Sequence, residues 1–400
     1  MIEIIMFLGL IYLFTFFVGR FFEKIKIPAI FSSLVFGILL AIKTPFLNIT
    51  SSEVFKFLAD LGMYFLLFLI GFELNLKEIK ESGKFIIKST FIIIFLEAIV
   101  SSLIFHFLFH YSIVISFIIA LAFATVGEEI LLPILDKFNL IKDKLGKAIL
   151  EIGIVDDIIE VFAIMLISVY LGVLGTNSSL INVREALFAI FLLFFLTLGF
   201  LKIKNKIEAS IKNLNLQAIF LFFFGILFVF LAIGKIAEAT AIGAILAGIM
   251  VRNFIRQREE FKETEYEIKT FAYSFFGPLF FVEVGSSIDI KDFFRFPLLA
   301  LILVSGIFLA KIIGSYLVGI KKFGAKKSFL LGVGLSVKFS TSILLIQFLK
   351  EINILKDPLY SILIGSSVFF VLLPPFIFFL LIKTHEKFKN KFLKSKVHAR

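Results

Sequence analysis

Apolar runs of about 17 to 25 residues, the length that crosses a hydrocarbon core, recur from one end of this 400-residue chain to the other. Such a chain is an all-α, polytopic membrane protein. Thirteen spans are predicted near residues 2–19, 27–42, 57–75, 88–109, 112–135, 148–173, 185–201, 217–234, 239–251, 270–287, 296–319, 328–349 and 359–382. The first run opens on Met1-Ile2-Glu3, without a basic leader or a small-residue cleavage site, so it is read as a span and not a signal peptide. The 57 Phe residues are read as lipid-facing and packing bulk. With no Cys, the chain has no disulfide, thiolate metal site or thiol switch.

Basic residues divide sharply between alternate connections. Of the 41 Lys and Arg, 31 fall in the loops on one side and the tail, eight in the loops on the other, and two, Lys311 and Lys338, inside predicted spans. Because short cytoplasmic loops carry the excess of Lys and Arg, the division predicts an outside N-terminus and a cytoplasmic C-terminus. The net charge of +11 is therefore mostly loop and tail charge. Residues 383–400 form a basic cytoplasmic tail that fixes topology and touches anionic lipid; nucleic-acid binding is not expected.

Asp156 and Asp157 stand side by side within the apolar stretch from Ala148 to Val173. Ionised groups at membrane depth are expensive, face protein or water-filled cavities, and mark ion or proton pathways. Adjacent helical residues point about 100° apart, so the two aspartates are expected to play different roles. One faces an ion cavity while the other meets a cation on a neighbouring helix, for which Lys311 is the natural partner. A static pair that only fixes helix packing would explain one aspartate, not two. A second carboxylate beside the first raises proton affinity, giving a site that holds either a proton or a small cation. Glu160, three and four residues on, falls near both on a helix.

Two other spans look interrupted, the fifth around Ala124-Thr125-Val126-Gly127-Glu128-Glu129 and the twelfth around Gly332 to Ser342. They lie seven spans apart and so cross the membrane in opposite directions, as an inverted repeat requires; paired broken helices point to a transporter's binding site. Glu128, Glu129 and Lys338 are placed to offset the exposed half-helix dipoles. For Glu97 and Glu283, packing and functional readings stay open. His106 and His110 share a helix face at metal-ligand spacing, but an interfacial position explains them as well, and no acidic third ligand lies nearby. A membrane aspartyl hydrolase would need acids facing each other from separate helices, so the chain is not read as an enzyme, and no cofactor is implied.

The stretches Ile27-Pro28 to Leu40, Phe68 to Leu74, Ala241 to Gly248 and Phe276 to Gly285 appear in the order and spacing of family signatures. The chain resembles the membrane domain of the monovalent cation:proton antiporter-2 family, within the sodium/proton antiporter superfamily, nearly end to end. The resemblance implies a sodium/proton antiporter-like fold with inverted repeats and two crossed broken helices. It implies that residues 1–382 form the antiporter domain, with spans 4–6 and 11–13 as a core that slides, elevator-fashion, against a dimerisation scaffold in a homodimer. It also implies electrogenic exchange of sodium or lithium for protons across the cell membrane. Asp157 would be the principal cation and proton carboxylate, Asp156 and Thr125 would join it around the transported sodium, and Asp156 would exchange a pairing with Lys311. Potassium/proton exchange or potassium efflux is the alternative within the same family. Two departures bear on ion preference: Lys338-Phe339-Ser340 stands where many members have Arg-Gly-Glu, and Glu128-Glu129 replaces small or hydroxyl residues.

Overall fold

The computed structural model describes residues 2–25, 27–42, 46–74, 83–137, 140–141, 143–156, 159, 180–202, 216–236, 239–255 and 261–397. Among these, all regular structure is helical. In chain order the helices are α1 (Ile2–Lys24), α2 (Phe31–Leu40), α3 (Glu53–Glu73), α4 (Lys84–Phe109), α5 (Ile113–Phe123), α6 (Glu128–Lys137), α7 (residues 144–156), α8 (Leu180–Lys202) and α9 (Leu216–Ile236). They continue with α10 (Thr240–Ile255), α11 (Phe261–Phe271), α12 (Gly277–Ser286), α13 (Pro297–Phe323), α14 (Ala325–Leu335), α15 (Ser340–Glu351) and α16 (Leu359–Val397). Short helical turns at Leu47–Thr50 and Ile290–Arg295 lie between spans.

Helix is found at every one of the thirteen predicted spans, and the fifth and twelfth are each two half-helices. Six described helices are long and apolar enough to cross a bilayer unaided, and the α14–α15 pair, bent by 46°, makes a seventh. The chain is a multi-pass membrane protein. Helix boundaries follow local chemistry. Ser52 and Ser112 accept from the backbone N–H groups of Phe55 and Ile115 and so cap α3 and α5. Pro297 opens α13, and Gly324, at φ 79°, closes it in a conformation that favours glycine. The final helix runs without interruption into the basic tail as far as Val397.

The resemblance motifs sit where helices touch backbone to backbone. A Cβ on Gly71 of α3 would strike the Ile245 carbonyl of α10, and one on Gly248 of α10 would strike Phe68 of α3. Gly37 of α2 and Gly285 of α12 oppose each other in the same way. Lipid offers no hydrophobic drive to associate, so close van der Waals approach through small residues is what holds such crossings.

The tenth span departs from the single helix expected of it. Residues 272–276 form a π-helical turn between α11 and α12. Pro278 supplies the cause: it has no N–H for the carbonyl one turn back, so the helix must widen or kink before it. Tyr12 of α1 donates its hydroxyl to the Phe275 carbonyl at 2.8 Å, and Phe276 stacks on Phe65 of α3 with ring centroids 4.0 Å apart.

Candidate functional site

The two interruptions meet. Helix α5 ends at Phe123 and α6 begins at Glu128; α14 ends at Leu335 and α15 begins at Ser340. Across the gap, Gly127 donates its backbone N–H to Val337 O at 2.8 Å, and the Thr125 and Ser342 hydroxyls are 2.5 Å apart. Glycine keeps this approach close, because a Cβ at 127 would lie 3.1 Å from Phe339 N and 3.3 Å from Phe339 Cβ. Phe339 in turn lies flat on Phe281 of α12, with centroids 5.0 Å apart.

Four buried charges gather at this crossing. Lys311 of α13 and Lys338 of the second interruption grip Glu97 of α4 from two sides: Lys311 Nζ is 2.6 Å from Oε2 and Lys338 Nζ is 2.7 Å from Oε1. All three side chains are at most 1% exposed. The same ammonium groups donate to carbonyls at the end of α5, Lys311 to Ala124 at 2.7 Å and Lys338 to Phe123 at 2.5 Å. These are C-terminal carbonyls with no intrahelical partner, at the negative end of the half-helix dipole. Lys338 also lies 5.0 Å from the ring centroid of Phe123, a cation–π distance.

Asp156, on α7, is the fourth charge and is 2% exposed. The Val126 backbone N–H bonds to its carboxylate, and Lys311, Glu97 and Lys338 are its charged neighbours. Its Oδ2 has no hydrogen-bond partner among the described residues. In formal charge, Glu97 and Asp156 balance Lys311 and Lys338.

A cavity of about 710 Å³ leads to the crossing. Val126, Ser340 and Thr341 line it at the crossing, while Glu73, Glu265 and Lys269 line it where the end of α3 lies beside α11. Lys269 bridges the two acids at 2.8 Å from Glu73 and 3.1 Å from Glu265. At the same end of the bundle, Asp143 accepts from Leu145 N–H and from Lys327, which together hold its carboxyl below the usual range.

The structure brings Asp156, Thr125, Lys311 and Lys338 to one place. Asp157 and Glu160 lie outside the described residues; Glu128 and Glu129 open α6, and their side chains lie outside the description. Two placements differ from expectation. Lys311 makes its ion pair with Glu97 and not with Asp156, because α13 packs along α4 and brings the ammonium onto that acid first. His106 and His110 do not share a face: His110 adopts a left-handed conformation at the end of α4, and His106 Nδ1 is 2.7 Å from the Tyr111 carbonyl. Sequence reasoning left Glu97 undecided. The available signal was an acid in the middle of a 26-residue apolar helix, where it needs cations.

The family model for the transmembrane sodium/hydrogen exchanger matches residues 10–384. A probable Na(+)/H(+) antiporter 3 from Methanocaldococcus jannaschii is 26% identical over 385 residues, covering 94% of this chain and 96% of that protein. A Na(+)/H(+) antiporter from Enterococcus hirae is 25% identical, covering 89% and 92%. The solved sodium proton antiporter MjNhaP1 from Methanocaldococcus jannaschii shares the fold, with a TM-score of 0.69 at 19% identity, over 95% of this chain and 98% of that one. The chain belongs to the sodium/hydrogen exchanger family of cation:proton antiporters.

Proposed function

We propose that this protein is a secondary active antiporter that exchanges cytoplasmic sodium, or lithium, for external protons by alternating access. The observation that carries the reading is the charge at the crossing: a balanced buried quartet, an Asp156 oxygen with no hydrogen-bond partner among the described residues, and a further acid, Asp157, next to it in sequence. That further acid takes one proton or one cation but not both, so loading one requires release of the other. Asp156 and the Thr125 hydroxyl complete the surroundings of the cation. The names and coverage of the two full-length relatives support sodium as the ion.

A one-for-one exchange at Asp157 alone would move no net charge. We propose an electrogenic cycle in which a second proton leaves the Asp156–Lys311 pair when the cation arrives, Lys311 having swung from Glu97 to Asp156 in the protonated state. Spans 4–6 and 11–13 act as the moving core and the remaining spans as a scaffold through which two copies pair. The cavity lies at the end of the bundle with the Lys- and Arg-rich connections, which supports an inward-facing state with the N-terminus outside, the C-terminus in the cytoplasm and the tail at the lipid surface of the cell membrane.

Potassium/proton exchange is the second reading. It is favoured by the K(+)/H(+) antiporter subunit KhtU of Bacillus subtilis, 27% identical over 282 residues covering 67% of this chain.

The test is reconstitution in liposomes under an imposed pH gradient, following internal pH as sodium, lithium or potassium is added, with Asp157→Ala in parallel. Sodium-driven proton movement that disappears in the variant is the expected result. A response to potassium alone transfers the reading to the second ion, and equal exchange by a folded Asp157→Ala protein removes it. For the second proton, Lys311→Gln is expected to abolish charge movement.

A further inference from the structure

Three of the helices that border the cavity, α3, α12 with its preceding α11, and α15, run on to the opposite end of the bundle. There the same bodies that stand apart around the cavity are held together by polar contacts. Glu283 of α12 accepts from Ser287 Oγ at 2.8 Å through Oε1 and from Gln347 Nε2 of α15 at 3.1 Å through Oε2. Gln347 Oε1 accepts from the Tyr360 hydroxyl of α16 at 2.7 Å, and that hydroxyl also lies 3.4 Å from Val284 O. Lys350 Nζ donates to Ser287 O at 3.1 Å and sits 3.5 Å from the centroid of the Tyr360 ring. On the division proposed above, Glu283 and Ser287 lie in a scaffold span, and Gln347 and Tyr360 in core spans.

We infer that Glu283, Gln347 and Tyr360 form an outer latch, a polar clasp that keeps the crossing closed on the side opposite the cavity and must part before the site can open there. The inference rests on the alternating-access reading above. Its chemistry suits a reversible closure. Amide, carboxylate and phenol groups exchange partners with water when they separate, so the clasp opens without exposing a wide apolar seam. At the cavity end the lining that α3 and α15 contribute is apolar, Leu66, Leu69 and Ile70 from one and Leu344 from the other. A network that only glued immobile helices together would have no reason to bridge the proposed core and scaffold at the end opposite the cavity.

The chain has no cysteine, so an introduced thiol reports alone. Ile343→Cys places one a helical turn below Gln347, at a position 0% exposed; Ile70→Cys places one in the cavity wall. Each is made in the otherwise native protein and together with Tyr360→Phe or Gln347→Leu, and the rate of reaction with a polar maleimide is measured in detergent micelles, where membrane orientation plays no part. Loss of one buried hydrogen bond shifts a two-state balance by about two- to tenfold. Labelling at position 343 is therefore expected to accelerate by that factor in Tyr360→Phe and further in Gln347→Leu, while labelling at position 70 does not rise. Unchanged labelling at 343 overturns the latch, and so does acceleration at both positions, which reports general loosening. Tyr360→Phe keeps the ring and its packing, so the test survives if Gln347→Leu fails to fold. Coupled flux in the native protein is measured separately: a latch-dependent shift without sodium-driven proton movement keeps the latch and discards the exchange reading, whereas flux without the shift does the reverse.

Discussion

The two interrupted spans are alike in backbone and opposite in charge. Each breaks for four residues between two short helices, 124–127 in one and 336–339 in the other, and each reaches toward its counterpart. Yet the first break receives cations and the second gives one away. The terminal carbonyls of α5 accept from two lysines, one of which, Lys338, belongs to the second break; there, Ser336 turns its hydroxyl back to Val333 O in its own helix at 2.8 Å. The half-helix after the first break opens on two glutamates, residue types that suit a positive helix end, while the half-helix after the second opens on Ser340, Thr341 and Ser342. An inverted repeat supplies a near-symmetric frame, and the electrostatics that a directional carrier needs are written onto it unequally.

The sharpest way to break this comparison is to remove the cation that one interruption lends the other. Lys338→Ala leaves Glu97 with one ammonium and uncovers the Phe123 carbonyl, and loss of one partner from a buried ion pair costs about 3–5 kcal/mol. A large drop in the detergent unfolding temperature is expected, whereas Ser336→Ala, which loses only a local bond, should stay within about 1 kcal/mol of native. If the two variants unfold alike, the electrostatic asymmetry has no energetic weight.

Gly127→Ala probes the shared backbone instead. The new methyl crowds Phe339 and Val337, an overpacking expected to cost about 1 kcal/mol, and exchange should fall as the crossing shifts. Gly225→Ala, where no atom lies within 4 Å of the new Cβ, is the control expected to leave flux unaltered.

The smallest effect is expected at the loops, where Asp143, just beyond α6, meets Lys327 in the first turn of α14 and so ties the two broken spans together from outside. Both side chains are well exposed, so Asp143→Asn should cost only a few tenths, about 0.2–0.5 kcal/mol, at neutral pH. The folded carboxyl titrates below its unfolded value. Its contribution is therefore complete above the unfolded pKa of about 4 and is lost as pH falls through the folded one. The gap between native and variant unfolding temperatures should close on acidification; a gap that widens would place the stabilisation elsewhere.

Much of this was readable from the sequence, for reasons that also mark its limits. Spans announce themselves by length, and both interruptions showed as glycine and hydroxyl residues beside charges. Lys311 and Lys338 stood out because no other Lys or Arg lay away from the end of a predicted span. What escaped was pairing across distance. Glu97 and Lys311 are separated by more than two hundred residues, and only the packing of α4 on α13 decides that this acid, rather than Asp156, holds the lysine in this state. The His106–His110 spacing failed through a local event, a left-handed residue that ends the helix before the second histidine. The π-helical turn before Pro278 was similarly hidden, since a proline near a span's middle predicts disturbance without saying whether the helix will kink, stop or widen.

The link between Gly127 and Val337 is a bond from main chain to main chain. A bond of that kind has no side chain to lose, so it survives replacement of Val337, Lys338, Thr125 or Ser342 by other residues that fit. Descendants of this chain can therefore rewrite the chemistry at the crossing, trying a new cation preference or a new coupling ratio one residue at a time, while the frame that brings the two halves together is inherited intact and only the glycine has little room to change.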